Sequence, residues 1–522
     1  MTVAPPDGSV PARRSVLGAA GAAAVVAAAP AAPADAAARY RPARYAGARL
    51  LPPAGRLLVG RFSYGLTPAL ARQVRQRGGA RAWFEWQLSP GRIDDTAADK
   101  IEAWWPGLRF EGAESWDRQV REVEFGWQLM QNYQRWLLQR RMVTRRQVHE
   151  VMTEFWEHHL HVPATGDSQF VYRKRYGDTV RAHALGRFDD LLRATTTEPA
   201  MLLFLDQAVS TRSAPNENLA RELLELHTVG RGNHTEDDVK NVARVLTGWK
   251  VDRWRTWDYG YAPEWHATGP VRVLGWTHDN ASSDGRAATY SLLRYLAHHP
   301  LTAARIARKL AVKFVSDDPP QSLVDRLART YLDHDTAIKP VLRVLARSSE
   351  LLASEGQKVR DPGEDVVAAC RLLGVQVLRP RADQSAANAL LWQTGSLGTL
   401  PMAWPRPDGQ PQTSRAWSSP ARLLASMRVH WSLCGGWWPS QDVRYRNDAG
   451  WVPRYPLRFD KLVDHLSQVL LHRHSTSALL RACCEATGTG PREVVTRDHP
   501  IVAWKMNRLL STVLDSPAFY AR

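Results

Sequence analysis

The chain has 522 residues, more than one typical hydrophobic core encloses, so one large domain or two packed lobes are expected. Apolar residues make up 44% and charged residues 23%, the balance typical of a soluble globular protein, which argues against a disordered chain. The formal net charge of +17 favours contact with anionic polymers. The cations are mostly arginines spread along the chain, which argues against a nucleic-acid-binding module.

The first segment of the chain predicts export. An arginine pair, Arg13 and Arg14, precedes an Ala- and Val-rich stretch that ends in a small-x-small cleavage pattern at residues 34–36. This is the pattern of a twin-arginine signal peptide over residues 1–36, followed by a linker over residues 37–54. No later stretch is apolar for long enough to span a membrane. We therefore expect an extracellular or cell-envelope protein without a transmembrane span in the mature chain.

Helix signals dominate from residue 55 to the end. In "TPALARQVRQRGG", Thr67 is the expected N-cap and Gly78 the stop, and in "TEDDVKNVARVLTGW" Thr235 is the expected cap. Apolar residues at three and four spacing follow in "HPLTAARIARKLAVKFV", "PPQSLVDRLARTYL" and "AIKPVLRVLARSSELL". The pattern predicts an all-α fold, either one large multi-helical domain over residues 55–522 or two packed helical lobes with a boundary near residues 355–362.

Two long irregular segments interrupt the helices, residues 250–285 and residues 394–419. Both are rich in Trp, Pro and Gly, and the first contains at most a small β-hairpin at "PVRVLGWTHD". Long loops in a compact domain are usually functional or disordered, and the aromatic content argues against disorder. We expect these segments to form the walls of a ligand cleft.

Several familiar catalytic signatures are absent. The sequence has no G-x-S-x-G elbow, P-loop, dinucleotide glycine motif, H-E-x-x-H or C-x-x-C. Its cysteines are Cys370, Cys434, Cys483 and Cys484, which lack metal-type spacing, and whether they form disulfides is left open. Most standard enzyme classes are therefore disfavoured.

The segment "HEVMTEFWEHHLHV", residues 149–162, concentrates histidines and glutamates. On a helix, one face carries the glutamates together with one histidine: Glu150, Glu154, Glu157 and His161. His159 falls on the apolar face, so the histidines cannot all bind one ion from a regular helix. A glutamate and a histidine four residues apart could share a metal. The alternative, which the spacing favours, is a solvated glutamate row with His159 turned inward.

A second segment, "APNENLARELLELHTVGRG", also predicts a helix with two distinct faces. Its polar row consists of Asn218, Arg221, Glu222 and Glu225, with Glu217 at the edge. The opposite, apolar side carries Leu219, Leu223, Leu226 and His227. The polar row is either a set of ion pairs along the helix or the wall of a cleft whose carboxylates do acid–base chemistry or bind a metal. Spacing alone favours the ion pairs.

Motifs along the whole chain resemble one protein family. In order they are "RFSYGLTP", "FWEHHLHV", "NENLARELLELHTVG", "VARVLTGW", "HPLTAARIARKL" and "LLSTVLDSPAFYAR". Together they resemble the bacterial exported family called domain of unknown function (DUF) 1800, from about residue 55 to the end. The resemblance implies a helical, exported protein, and a partner in the sulfatase-like exported protein that is often encoded beside family members.

The family pattern covers residues in three of these motifs. They are Phe155, Trp156, His159, Asn216, Glu217, Asn218, Arg221, Glu222, Glu225, His227, Thr247, Gly248 and Trp249. Because the pattern retains both the polar row and an inward histidine, it favours the cleft over the ion pairs. The family usually also has a His-Asp pair, and here His266 is followed by Ala267, so a role for that acid would be impaired in this chain.

The candidate site residues fall into three sets. The catalytic candidates are Glu222, Glu225 and Arg221. The binding candidates are Asn218, Glu217, Trp249 and Trp265. The candidate ligands for a divalent metal are His266, His159 and His227.

The predicted function is an exported metal- or carboxylate-dependent enzyme that acts on an envelope or extracellular polymer. The alternative is a non-catalytic envelope scaffold whose basic, Trp-bearing surface binds an anionic glycan or another exported protein.

Overall fold

The computed structural model describes residues 49–522. The twin-arginine signal predicted for residues 1–36 lies outside the described residues, and so does most of the predicted linker. Within the described part of the chain, no helix is both long and apolar enough to cross a membrane. The described residues belong to one compact unit.

Helices account for most of the described residues, so the predicted all-α class is confirmed. The N-terminal helices are α1 Pro53–Arg61, α2 Pro68–Gln76, α3 Ala80–Gln87, α4 Thr96–Asp99, α5 Gly112–Val120, α6 Gly126–Val143, α7 Gln147–His159, α8 Arg173–His183, α9 Phe188–Thr196 and α10 Pro199–Phe204. The central helices are α11 Asn218–Glu222, α12 Glu236–Leu246, α13 Arg286–His298, α14 Pro300–Phe314, α15 Gln321–Asp333, α16 Ile338–Arg347 and α17 Ser349–Leu352. The C-terminal helices are α18 Pro362–Leu373, α19 Ala386–Ser396, α20 Pro420–Gly435, α21 Phe459–Leu470, α22 Ser477–Thr487, α23 Met506–Leu514 and α24 Pro517–Tyr520.

Shorter helical turns connect these helices. The 3₁₀ turns are Pro90–Arg92, Lys100–Trp104, Pro106–Arg109, Gln169–Val171, Gln207–Val209, Pro263–Trp265, Ser414–Trp417 and Asp448–Trp451. The π-helical turns are Leu223–His227 and Ile501–Lys505.

The helix ends follow the signals in the sequence. Thr67 Oγ1 accepts a hydrogen bond from the Leu70 amide at 3.1 Å, which begins α2 as predicted. Thr235 forms a capping box with Asp238 at the start of α12. The apolar segments predicted as helices near residues 300, 321 and 338 are α14, α15 and α16.

The strands of the described residues form four two-stranded antiparallel sheets. They pair β1 Trp249–Val251 with β2 Tyr259–Tyr261, β3 Val271–Val273 with β4 Trp276–His278, β5 Gln376–Val377 with β6 Val443–Arg444, and β7 Leu457–Arg458 with β8 Val494–Val495. The irregular segment 250–285 thus takes part in two hairpins where one was expected. Strands of two or three residues are too short to show the alternation by which a strand is recognised in a sequence.

The glutamate row of α7 is buried, so the expectation of a solvated face is wrong. Glu150, Glu154 and Glu157 are only 1%, 2% and 0% exposed. Arginines from α6 and α8 reach this face, and buried carboxylates require such partners. The N–O distances are 2.8 Å for Arg181–Glu150, 3.1 Å for Arg140–Glu150, 2.9 Å for Arg141–Glu154 and 2.6 Å for Arg173–Glu157. The polar side of α7 therefore holds the interior together through ion pairs.

His161 lies outside the helix on which it was projected. Helix α7 ends at His159, and His161 is fully buried in the following segment. Its Nε2 lies 2.8 Å from the carbonyl oxygen of Trp404, in the irregular segment 394–419. His161 therefore ties that segment to the end of α7 and does not share a helical face with Glu157.

A second buried ion cluster joins α18, α20 and the end of α23. His430 Nε2 lies 2.9 Å from Asp365 Oδ1, and its Nδ1 lies 2.7 Å from Asp515 Oδ1. Burial opposes the charged imidazolium, but the two carboxylates outweigh it and raise the pKa of His430 to about 9. The charged ring therefore bridges these helices at neutral pH.

Candidate functional site

The polar row lies on α11 and on the single π-helical turn Leu223–His227 that continues it. As the sequence predicts, the opposite side is buried, and His227 is only 1% exposed. A π turn is a frequent feature of functional sites because it shifts side chains out of the regular helical register. In this protein the π turn Leu223–His227 is followed by the segment that contains Arg231.

The outer end of the polar row forms exposed ion pairs. Arg221 lies 3.2 Å from Glu217 and 2.8 Å from Glu236, and Asn218 is exposed. Glu225 pairs instead with Arg231, at 2.9 Å. Of the ion pairs expected along the helix, the pair between Arg221 and Glu217 forms, whereas Glu225 is held by Arg231 from outside the helix.

Glu222 differs from its neighbours in the polar row. Its side chain is half-buried, and its Oε2 atom is buried without a hydrogen-bond partner. Burial and the adjacent Glu225 raise the pKa of this carboxyl group, with a smaller contribution from Asp408. Such a group can hold a proton at a higher pH than an ordinary glutamate.

Beside this helix is a cleft that we call the basic cleft, with a volume of about 590 Å³. Its walls come from the turn after His227, from α14 and α15, and from the irregular segment 394–419. The lining residues are Leu226, Val229, Gly230, Arg231, Asn233, Leu301, Ala304, Arg305, Arg308, Lys309, Gln321, Val324 and Asp408. Cations outnumber the single acid in this lining, so the cleft suits an anionic ligand.

A glycine allows the segment 394–419 to reach the basic cleft. Gly409 has φ +70°, and a Cβ atom at this position would lie 2.0 Å from the carbonyl oxygen of His158. Only glycine fits such an approach to the end of α7. The neighbouring Asp408 thereby becomes part of the cleft lining, and its Oδ1 atom is buried without a partner.

A lysine and two histidines meet at the inner end of the basic cleft. Lys309 Nζ lies 2.9 Å from His159 Nδ1, and His159 Nε2 lies 3.1 Å from the carbonyl oxygen of His227. Because a carbonyl oxygen only accepts, Nε2 of His159 carries the proton and Nδ1 accepts from the lysine. No carboxylate of the described residues forms an ion pair with Lys309.

This environment favours the neutral forms of all three groups. Burial, assisted by Arg305, lowers the pKa of Lys309 to about 7. Burial and Lys309 hold the pKa of His159 well below its usual range, and they lower that of His227 to about 3. At neutral pH about half of the Lys309 side chains are therefore unprotonated amines that can accept a proton.

Sequence reasoning selected His159 and His227 but missed Lys309. The two histidines do meet, with ring centroids 6.4 Å apart. Lys309 lies on α14, three residues after the buried Ile306 and seven after the buried Thr302. That helical spacing, which places a lysine at the border of an apolar face, is the signal that could have found it.

The other candidates, His266, Trp249 and Trp265, do not line the basic cleft. His266 Nδ1 lies 2.9 Å from the carbonyl oxygen of Thr247 and its Nε2 lies 2.9 Å from Asn280 Oδ1, so both nitrogens hold the loop around Ala267. Trp249 is buried in the first hairpin, and Trp265 is half-buried with Lys250 Nζ 5.3 Å from its ring. Within the described residues, the hydrogen bonds of His266 go to Thr247 and Asn280, and none goes to His159 or His227.

The described residues contain no group of three or more His, Cys, Asp and Glu side chains placed to hold a metal ion. The structure thus brings together two of the three proposed metal ligands without a third. The sequence did not decide whether the cysteines form disulfides. In the structure all four are free thiols: Cys370, Cys434, Cys483 and Cys484.

These observations define a large helical protein in which a lysine–histidine pair faces an arginine-lined cleft. The family model described as "Protein of unknown function (DUF1800)" matches residues 57–521. The chain therefore belongs to this family, and the resemblance seen in its motifs is confirmed. Comparisons with curated proteins and with solved structures found no match.

Proposed function

We propose that this protein is an exported enzyme that performs acid–base chemistry on an anionic polymer of the envelope or extracellular space, in the basic cleft. The observation that carries the proposal is the amine of Lys309, which donates to His159 Nδ1 at 2.9 Å and faces the arginine-lined cleft. Lys309 is half-buried, and removing a lysine amine from water without an ion-pair partner is costly, so such a group is more often found where its chemistry is used.

Lys309 is the proposed general base. A base is most effective when its pKa lies near the working pH, and burial brings the pKa of this amine to about 7. His159 orients the amine, because its Nε2–H is fixed by the carbonyl oxygen of His227. The lone pair of the neutral amine is then available to a substrate in the cleft.

The arginines are the proposed anion-binding groups. Arg231, Arg305 and Arg308 line the cleft, and guanidinium groups bind carboxylate, sulfate or phosphate through two parallel hydrogen bonds. Arg305 is already oriented, because its Nε donates to the carbonyl oxygen of Leu226 at 3.0 Å. The chemistry therefore favours a substrate with repeated anionic groups.

Glu222 is the proposed general acid. Its pKa is raised by burial and by Glu225, whereas the pKa of Lys309 is lowered. Enzymes tune catalytic glutamates upward and catalytic lysines downward in this way, so that both pKa values approach the working pH. Asp408 connects the two groups electrostatically, since its charge favours the protonated form of both.

The test is turnover of anionic polymers by protein recovered after native export. Teichoic acid, polygalacturonate and peptidoglycan would be incubated with the protein and the released fragments measured. Lys309→Met is expected to lower turnover by about 100-fold or more while binding persists. Lys309→Arg should fail equally, because a guanidinium group does not give up its proton in this pH range. Glu236→Gln, at an exposed ion pair, is the matched control and should retain activity.

Three outcomes contradict parts of the proposal. Full activity in Lys309→Arg would exclude the lysine as the base. Binding without turnover by the wild-type protein would favour the non-catalytic scaffold. Recovery of the protein only from the cytoplasm would exclude export. Elemental analysis of the same exported protein tests whether His159 and His227 hold a divalent metal.

A further inference from the structure

A second groove lies on a different part of the molecule. It runs between the 3₁₀ turns at residues 100–109, the first turns of α6 and the segment that leads into α19, and its volume is about 760 Å³. We call it the tryptophan groove after four of its lining residues, Trp104, Trp105, Trp127 and Trp392. It shares no lining residue with the basic cleft.

Two of the four indole rings of this groove are unusually accessible, whereas that of Trp105 is buried. Trp127 is 61% exposed and Trp392 is 56% exposed, although a large apolar side chain in water is unfavourable. Trp104 is half-buried, with its ring centroid 5.8 Å from that of Trp105. Aromatic faces that line a concave surface provide flat apolar platforms, on which a ring that carries C–H groups on one face can stack.

The groove also carries an ordered set of polar side chains from α6. Asn132 Nδ2 donates to Glu124 Oε1 at 2.8 Å, and Arg135 donates to Asn132 Oδ1 at 2.6 Å and to Gln131 Oε1 at 2.9 Å. The Nε atom of Arg135 is buried without a partner. Amides and a guanidinium group held by one another are preorganised to exchange hydrogen bonds with several neutral donors and acceptors of a ligand.

The charges of the groove are close to balance. Its lining cations are Arg118, Arg135 and Arg381, and its lining anions are Glu124 and Asp383. Arg118 lies 3.3 Å from Glu124, and Arg381 lies 2.8 Å from Asp442. The groove therefore does not select an anion, which distinguishes it from the basic cleft.

From these features we infer that the tryptophan groove binds a neutral oligosaccharide. A pyranose ring has one face of C–H groups that stacks on indole and a rim of hydroxyls that both donate and accept hydrogen bonds. The exposed tryptophans match the face, and the amides and Arg135 match the hydroxyls. This binding site does not depend on the chemistry proposed for the basic cleft, and it would hold the protein against a glycan surface.

The test is binding of cellohexaose, chitohexaose and mannohexaose by calorimetry, with polygalacturonate and an unstructured Trp-free peptide for comparison. At least one neutral hexasaccharide is expected to bind, with little dependence on salt, since no charge is neutralised. Trp127→Ala and Trp392→Ala are each expected to weaken binding by about ten-fold or more. Trp504→Ala is the matched control, because Trp504 is 60% exposed but lies outside the groove lining, and it should bind normally.

Other results would overturn the inference. The first is that none of the three neutral hexasaccharides binds. The second is that Trp504→Ala weakens binding as much as the groove variants do. The third is that only the peptide or only polygalacturonate binds. Circular dichroism confirms that each variant is folded, and Asn132→Ala supplies a second probe that removes no aromatic surface. Binding of a neutral hexasaccharide that survives in Arg305→Met, which removes an anion-binding group of the basic cleft, separates this site from that cleft.

Discussion

The protonation state of Lys309 can be measured without knowing a substrate. Burial and Arg305 disfavour the charged form of this amine and lower its pKa to about 7, so its charge should change with pH near neutrality. A lysine in water has a pKa of about 10.4, so only about 1 in 2,500 such amines is neutral at pH 7. Lys309 is expected to be neutral in about half of the molecules, roughly a thousand-fold more.

Competitive trace acetylation reads this fraction, because acetic anhydride reacts only with the neutral amine. The protein would be acetylated between pH 5 and pH 11, and the peptide that contains Lys309 would be quantified by mass spectrometry. The same lysine in urea-denatured protein is the internal reference. We expect a labelling midpoint near pH 7 in the folded protein and near pH 10 in the denatured protein.

The pH dependence of stability provides an independent check that the pKa of Lys309 is lowered, and not raised, by folding. Because the folded pKa lies below the unfolded pKa, the unfolded chain binds more protons between pH 7 and pH 10. The contribution of Lys309 to the free energy of unfolding therefore becomes more favourable as pH rises through this range. Lys309→Met should gain most stability over the wild type at pH 6 and least at pH 10. A labelling midpoint near pH 10 in the folded protein would show that Lys309 is protonated at neutral pH and would exclude it as the general base.

Two further predictions concern the buried ion clusters. The pKa of His430 is raised to about 9, so its stabilising effect is complete below about pH 6.5 and is lost as pH rises through 9. Urea unfolding of the wild type should lose about 3 kcal/mol more between pH 6 and pH 9.5 than His430→Asn, and equal losses would contradict this. Arg141→Met should lower the free energy of unfolding by about 3–5 kcal/mol, because it leaves the buried Glu154 without its ion pair. Arg121→Met, at an exposed ion pair, should cost under about 1 kcal/mol, and similar costs for the two variants would show that burial is not the cause.

Part of the candidate site could be predicted from the sequence. Helical spacing placed His159 and His227 on inward faces, and both are buried and close to each other. It could not identify Lys309, because a lysine beside an apolar face normally extends its amine into water. Only the approach of His159 from a helix about 150 residues earlier in the chain holds that amine in the cleft.

The sequence alone determined the helical class, most helix ends and the family, because caps, apolar periodicity and short motifs are local properties of the chain. Tertiary structure decided which polar faces meet water. The glutamates of α7 have the spacing of a solvated row, yet arginines on α6 and α8 bury them, since the partners of a charged face come from elsewhere in the chain. For the same reason only the assembled fold determines that the amine of Lys309 lies beside His159 without an ion-pair partner among the described residues, and the candidate chemistry depends on that position.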